Sequence, residues 1–200
     1  MKPTPMQSSE RVIPDTCTVF CLIWCLCTTS AALAQDDPFK LQVEVKQQGE
    51  TFNTQASFRL PLTPCQAWNY IVDYDAAVHI PGVVSSKTTR LGPTKVRVER
   101  SLRETFLFFP IRMHTVIEFN ETAGRGTDFV QVEGEARTHR GSWRLEPAPE
   151  GTVFRYQAIS EPDSSIPMPV IRYFLDKRLR SSFAAMAQFG AQRVGTDCPS

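Results

Sequence analysis

Hydrophobic and polar residues alternate along most of the chain between residues 41 and 160, and prolines and glycines separate the alternating runs. Side chains of a β-strand point alternately to opposite faces of its sheet, so this period of two predicts strands with one buried face. Short turn segments between the later runs favour an antiparallel meander. The predicted strands are Leu41–Val45, Phe52–Leu60, Val83–Leu91, Lys95–Phe106, Ile111–Asn120, Phe129–Glu135, Thr138–Leu145 and Thr152–Ser160.

Helical spacing replaces the period of two in two regions. Thr63 and Pro64 are residue types favoured at the N-cap and the first position of a helix, and they predict a short helix there. A second short helical segment follows from Ala76 to Ile80. The residues from about Pro169 to Val194 predict one long helix with an apolar face. We therefore expect a single domain in which this helix covers one face of a sheet of six or more strands.

The first 34 residues have the organisation of an export signal. No residue from Thr16 to Ala34 is charged, the centre of this stretch is apolar, and it ends in the small-residue motif Ala32-Leu33-Ala34. We predict cleavage after Ala34, which leaves a periplasmic or secreted domain at residues 35–200. The basic and acidic residues of the leader balance each other, so an uncleaved membrane anchor is the alternative.

Charge and cysteine content narrow the possible partners and the redox state. The chain of 200 residues has 22 Lys and Arg against 21 Asp and Glu, so it lacks the positive field on which nonspecific nucleic-acid binding relies. We predict no nucleic-acid partner. Four of the six cysteines lie in the predicted signal, leaving Cys65 and Cys198. In an oxidising compartment these two form a disulfide or remain a free pair, and the sequence leaves both possibilities open.

Six short segments follow one another in an order that indicates a known fold. They are Leu60–Pro64, Val72–Asp75, Ile80–Val83, Gly141–Leu145, Gly151–Tyr156 and Ile166–Pro169. Together with the predicted elements, they resemble the START-like (SRPBCC) superfamily, within which the polyketide cyclase and coenzyme Q-binding START-domain group is most similar. The resemblance implies an α+β helix-grip fold, in which a curved antiparallel sheet wraps around the long C-terminal helix and two short helices follow the first strands.

A sheet that curves around a helix leaves a gap lined by inward-facing side chains, and such a gap suits a hydrophobic ligand. The alternative is that the same side chains fill a closed core. The candidates for the cavity wall are Leu102, Phe106, Met113, Ile117, Trp143, Tyr156, Phe174, Phe183 and Met186.

Polar chemistry is sparse in the sequence. The three histidines, His79, His114 and His139, have no metal-ligand spacing to one another or to the cysteines, so we predict neither a metal nor a cofactor. One inward polar group can orient a ligand or act as an acid inside the cavity. Arg103, Glu104 and His114 are the candidates for that group.

One apolar segment, Phe106–Ile111, lies at a predicted turn between two strands, where polar residues are usual. Three interpretations remain open: a hairpin end packed under the long helix, a lip of the ligand entrance, or a tip that touches a membrane. Basic residues of the last helix, among them Arg172 and Arg180, favour a transient contact with a membrane surface or form a solvated helix face.

These observations predict an exported protein that binds or carries a hydrophobic small molecule or lipid between the sheet and the C-terminal helix. The alternative is an enzyme of the cyclase or dehydratase type that acts on a polyketide-like or lipid intermediate in the same cavity. A third possibility is a module at the membrane surface with a filled core. The superfamily includes both carriers and enzymes, so the resemblance does not decide among them.

Overall fold

A computed structural model describes residues 37–106, 108–163, 167–195 and 198, with the side chains of residues 106, 109 and 176 left out. The predicted export signal lies outside the described residues, and its cleavage stays a prediction. None of the helices in the described ranges is long and apolar enough to cross a membrane.

Eight antiparallel strands form one sheet in the order β1-β2-β8-β7-β6-β5-β4-β3. The meander from β3 to β8 confirms the prediction, and the β1–β2 hairpin joins it where β2 pairs with β8. The chain therefore crosses from one edge of the sheet to the other between β2 and β3. The strands are β1 Gln42–Gln48, β2 Thr51–Leu60, β3 Val83–Arg90, β4 Lys95–Phe106, β5 Phe109–Thr122, β6 Gly126–Glu133, β7 Ala136–Ala148 and β8 Gly151–Pro162.

The crossing is made by helix α1, Pro64–Ile71, and by a 3-10 helix, Tyr74–His79. The start of α1 is a capping box: the Gln66 amide donates to the Thr63 hydroxyl at 3.3 Å, and the Thr63 amide donates to Gln66 Oε1 at 3.0 Å. Two otherwise orphaned amides are satisfied in this way. The predicted start of the helix at Thr63 and Pro64 is confirmed.

The predicted long helix consists of three consecutive parts, which we call together the C-terminal helix. They are α2, Met168–Tyr173, a π-helical turn, Phe174–Arg178, and α3, Leu179–Ala191. In the π-helical turn, Arg178 forms an ion pair with Glu104 of β4 through its Nε, at 2.8 Å from Oε2, and through its Nη2. The C-terminal helix is thus tied to the sheet at the turn where its geometry changes.

The other end of the C-terminal helix is held against α1 and the 3-10 helix. A disulfide joins Cys65 of α1 to Cys198, with Cα atoms 6.1 Å apart. Arg193 forms an ion pair with Asp73 at 2.6 Å. The structure therefore contains the disulfide that the sequence left open, and the helix is secured beyond its last turn.

The core lies between the inner face of the sheet and these helices. Phe58 of β2 and Phe154 of β8 are fully buried and stacked, with ring centroids 5.0 Å apart. Phe183 and Ala187 of α3 are buried against this layer. One continuous apolar layer therefore joins the sheet to the C-terminal helix.

The apolar turn between β4 and β5 does not pack all its side chains under the helix. The backbones of Phe106 and Phe109 pair across the hairpin, and the side chain of Phe108 at its tip is 93% exposed. The packed-hairpin interpretation is therefore wrong for Phe108. An entrance lip and a membrane-touching tip both stay predictions.

Candidate ligand-binding cavity

A cavity of about 210 Å³ lies between the inner face of the sheet, the 3-10 helix and α3. Its floor comes from sheet residues that point inward, and its sides come from the two helices. Ile80, after the 3-10 helix, and Ser182 of α3 are partly exposed lining residues, so the cavity has an opening between these two elements. Arg100 and Tyr156 of the sheet also keep partial exposure.

Aromatic and aliphatic side chains make up most of the wall. Trp143 of β7 and Tyr156 of β8 face each other in register, with ring centroids 4.9 Å apart. The ring of Phe183 of α3 packs against both, with its centroid 5.9 Å from that of Trp143 and 5.2 Å from that of Tyr156. Met186 of α3 and Phe119 of β5 extend the apolar surface. Large rigid rings beside a flexible thioether suit an apolar ligand of irregular shape.

One charged side chain, Arg100, enters this apolar wall from β4. Val96 and Val98 are fully buried, and Arg100 follows at the same alternating positions, so its side chain points inward. Its Nε donates to the Ser86 hydroxyl at 3.2 Å, and that hydroxyl donates to the Tyr74 carbonyl at 2.8 Å. Because burial penalises the charged form, it lowers the pKa of Arg100 below its usual value.

Three tyrosines surround the cavity and keep their protons. Burial raises the pKa of Tyr70, Tyr74 and Tyr156 well above the usual value for a phenol. The Tyr70 hydroxyl donates to the Met186 carbonyl at 2.7 Å and so joins α1 to α3. The nearby Glu121 carboxylate raises the pKa of Tyr74 further. At neutral pH these groups are therefore neutral hydroxyls.

The structure brings together four of the predicted cavity residues, Trp143, Tyr156, Phe183 and Met186. Ile117 is buried in the core beside the cavity. Leu102, Met113 and Phe174 do not line it: Leu102 and Met113 are paired in register and half-buried, and Phe174 is half-buried in the π-helical turn. The side chain of Phe106 is outside the described part of the structure, so its assignment to the cavity stays a prediction.

None of the three predicted polar groups lines the cavity. Arg103 and His114 are exposed, because their strand positions point to the outer face of the sheet. Glu104 points inward and is buried, but its carboxylate forms an ion pair with Arg178 outside the cavity. The charged residues that line the cavity are Arg100 of β4 and Asp73, which the sequence did not identify as candidates. Arg100 lies two residues from Val98 and two from Leu102 on the same strand, and this spacing indicates an inward side chain.

The described parts of the chain contain no group of three His, Cys, Asp or Glu side chains that could hold a metal ion. The polar groups that line the cavity are the Arg100 guanidinium, the Asp73 carboxylate and neutral hydroxyls, set in a mostly apolar wall.

Comparison with known proteins shows the family to which this chain belongs. Residues 51–189 match the model of the family described as polyketide cyclase / dehydrase and lipid transport. The chain belongs to this family. The matched range includes α1, the 3-10 helix, β2 to β8 and nearly all of the C-terminal helix, so every wall of the cavity lies within it. A search of curated proteins finds no match to the sequence.

Solved structures of similar fold include both lipid-transfer and cyclase proteins. The STAR-related lipid transfer protein from Xanthomonas axonopodis is 16% identical, with a TM-score of 0.62 over 75% of this chain and 93% of that one. The Zhui aromatase/cyclase from Streptomyces sp. R1128 is 10% identical, with a TM-score of 0.62 over 73% and 97%. A START superfamily protein from Mycobacterium smegmatis is 10% identical, with a TM-score of 0.55 over 70% and 97%. At these identities the likeness establishes the helix-grip fold.

Proposed function

We propose that the chain is an exported protein that binds and carries a hydrophobic small molecule or lipid in the cavity between the sheet and α3. The observation that carries this proposal is the cavity of about 210 Å³ that remains beside the packed rings of Trp143 and Phe183, with Met186 in its wall. Binding is driven by removal of apolar surface from water, worth about 25 cal/mol per Å². The family description and the Xanthomonas lipid transfer protein support the same ligand class.

The size of the cavity limits the ligand. At about 210 Å³ it is smaller than the roughly 300–1,000 Å³ that drug-sized ligands usually occupy. A single short acyl chain or a small ring system fits this space, whereas a two-chain lipid must leave part of its length outside the opening between the 3-10 helix and α3.

Export is supported by the disulfide between Cys65 and Cys198. Structural disulfides form and persist in oxidising compartments and are rare in the cytosol. Together with the leader at residues 1–34, this pair favours a periplasmic or secreted protein. Mass measurement of the exported protein tests this point, because cleavage after Ala34 and an uncleaved anchor give different masses.

Native mass spectrometry of the exported protein, followed by solvent extraction, tests the binding function. We expect a bound apolar compound in stoichiometric amount, released on denaturation. Protein that carries no compound and takes up none from several lipid extracts contradicts the proposal. Loss of uptake after Trp143→Arg, but not after the same change at exposed Val130, locates binding in the cavity.

A second function is favoured by Arg100 and Tyr156. A guanidinium and a neutral phenol in an apolar cavity can stabilise negative charge that develops on an enolate oxygen, which is the requirement of cyclase and dehydratase chemistry. The family description names both activities. Conversion of a short poly-β-keto thioester by the wild type but not by Arg100→Met supports the enzyme. Reversible binding without a product supports the carrier.

A further inference from the structure

Arg100 forms no ion pair with a carboxylate in the part of the chain that the structure describes, and the charge of Asp75 acts on it only at longer range. Arg100 lines the cavity, and its Nε donates to the neutral Ser86 hydroxyl at 3.2 Å, a bond that does not use the terminal nitrogens of the guanidinium. An arginine in an apolar environment is costly unless it is paired and hydrogen-bonded. The protein therefore keeps a destabilising charged side chain in the cavity wall, where a ligand would lie.

The nearby acidic groups are engaged elsewhere. Asp73, at the edge of the cavity, forms an ion pair with Arg193 at 2.6 Å, and Glu104 is held by Arg178. Asp75, whose charge reaches Arg100 electrostatically, accepts a hydrogen bond from Thr88 at 2.7 Å. Glu121 forms an ion pair with Arg90 at 3.0 Å. None of these carboxylates forms an ion pair with Arg100, although the charge of Asp75 attracts it at longer range.

A second donor faces the same space. Tyr156 lines the cavity from β8 and interacts electrostatically with Arg100 across it. Its hydroxyl is protonated at neutral pH and has no hydrogen bond within the described ranges. A guanidinium and a phenol that face one cavity are suited to an anionic oxygen acceptor, because hydrogen bonds to a charged group are stronger than neutral ones.

We propose that the ligand is a hydrophobic anion, whose carboxylate or phosphate monoester lies against Arg100 and Tyr156 while its apolar part contacts Trp143, Phe183 and Met186. This inference rests on the proposed function and deepens it by naming the ligand class. Ser86 is a positioning residue, since its bond to Nε fixes the guanidinium and leaves its terminal nitrogens for the anion.

Three ten-carbon probes test the proposal by titration calorimetry at pH 7.5: decanoate, decyl phosphate and 1-decanol. They share the apolar chain and differ in the head group. We expect one or both anions to bind the wild type at least about tenfold more tightly than the alcohol. Arg100→Met removes this preference, so that the three probes bind it with affinities within about threefold of one another. Arg103→Met, on the outer face of the same strand, keeps the preference.

The outcomes separate the two proposals. Binding of all three probes with equal affinity, unaffected by Arg100→Met, overturns the anion inference and leaves hydrophobic-ligand binding intact. No binding of any probe overturns the binding function and the inference with it. A preference for one anion over the other identifies the acid group. A thermal melt of Arg100→Met confirms that it is folded, and Arg100→Lys, which keeps the charge, retains a preference for the anions that Arg100→Met loses.

Discussion

Arg100 of β4 and Tyr156 of β8 line the same cavity, although β5, β6 and β7 separate their strands in the sheet. Only a strongly curved sheet brings side chains of such distant strands across a common space. The curvature therefore creates the cavity and brings its charged group opposite its phenol. Both groups are carried by regular strands, which hold them more rigidly than loops would.

Arg100 places a charge in an apolar wall without an ion pair among the described residues, and this predicts a gain in stability when the charge is removed. We expect Arg100→Met to raise the free energy of unfolding by about 1–3 kcal/mol, because an apolar side chain of similar length replaces a desolvated cation. Urea unfolding of the ligand-free protein measures this. The control is Arg97→Met on the same strand, whose surface ion pair with Glu118 is worth at most about 1 kcal/mol. A loss of stability in Arg100→Met would show that the guanidinium has a structural role.

The ion pair between Glu104 and Arg178 is asymmetric, and the two partners should respond differently to substitution. The Glu104 side chain is 7% exposed, whereas the Arg178 side chain is 35% exposed. Arg178→Met leaves a buried carboxylate without its partner, so we expect a loss of about 3 kcal/mol in unfolding free energy.

Glu104→Gln leaves an arginine that can reach water, and we expect it to cost at least about 1 kcal/mol less than Arg178→Met. Denaturant melts of both variants at pH 7 test the asymmetry. Equal losses would mean that solvent reaches both partners alike.

The disulfide closes a loop whose ends are 133 residues apart in sequence. Restricting a loop of that length in the unfolded chain stabilises the fold by about 5 kcal/mol in the chain-entropy model. We expect Cys65→Ser/Cys198→Ser to lose an amount of this size in urea unfolding, and added reductant to lower the wild type to the same level. A loss below about 1 kcal/mol would contradict this expectation.

His139 predicts a loss of stability in acid. Burial lowers its pKa below the ordinary value near 6.5, and its Nδ1 lies 2.7 Å from the Ser160 hydroxyl. Below about pH 6.5 the unfolded chain binds a proton that the folded chain resists, so the stability present above that pH is lost as pH falls.

We expect His139→Gln to flatten the dependence of unfolding free energy on pH between 7 and 5. His114→Gln changes an exposed histidine and should keep the dependence of the wild type. The same slope in all three proteins would exclude His139 as the cause.

The alternating pattern was sufficient for the order of the strands and the inward positions of Trp143 and Tyr156, and the residue types Thr63 and Pro64 were sufficient for the start of α1. Arg100 was missed because Lys95–Glu104 contains charges on both faces, and a search for apolar inward residues passes over an inward arginine. The Glu104–Arg178 pair joins residues 74 apart, and the Cys65–Cys198 disulfide depends on where two distant segments meet. Contacts of this kind depend on tertiary packing, which the local periodicity of a sequence does not reveal.

We propose that a ligand occupies the cavity that Trp143 and α3 line. Trp24→Phe/Trp68→Phe leaves Trp143 as the one tryptophan of the chain, so its fluorescence during titration with decanoate reports on this cavity. We predict a saturable change in emission. The half-saturation concentration should rise at least about tenfold with Met186→Glu, which puts a charge in the wall, and stay unchanged with Arg180→Glu on the exposed face of α3. No saturable change, or equal effects of the two substitutions, would contradict the account.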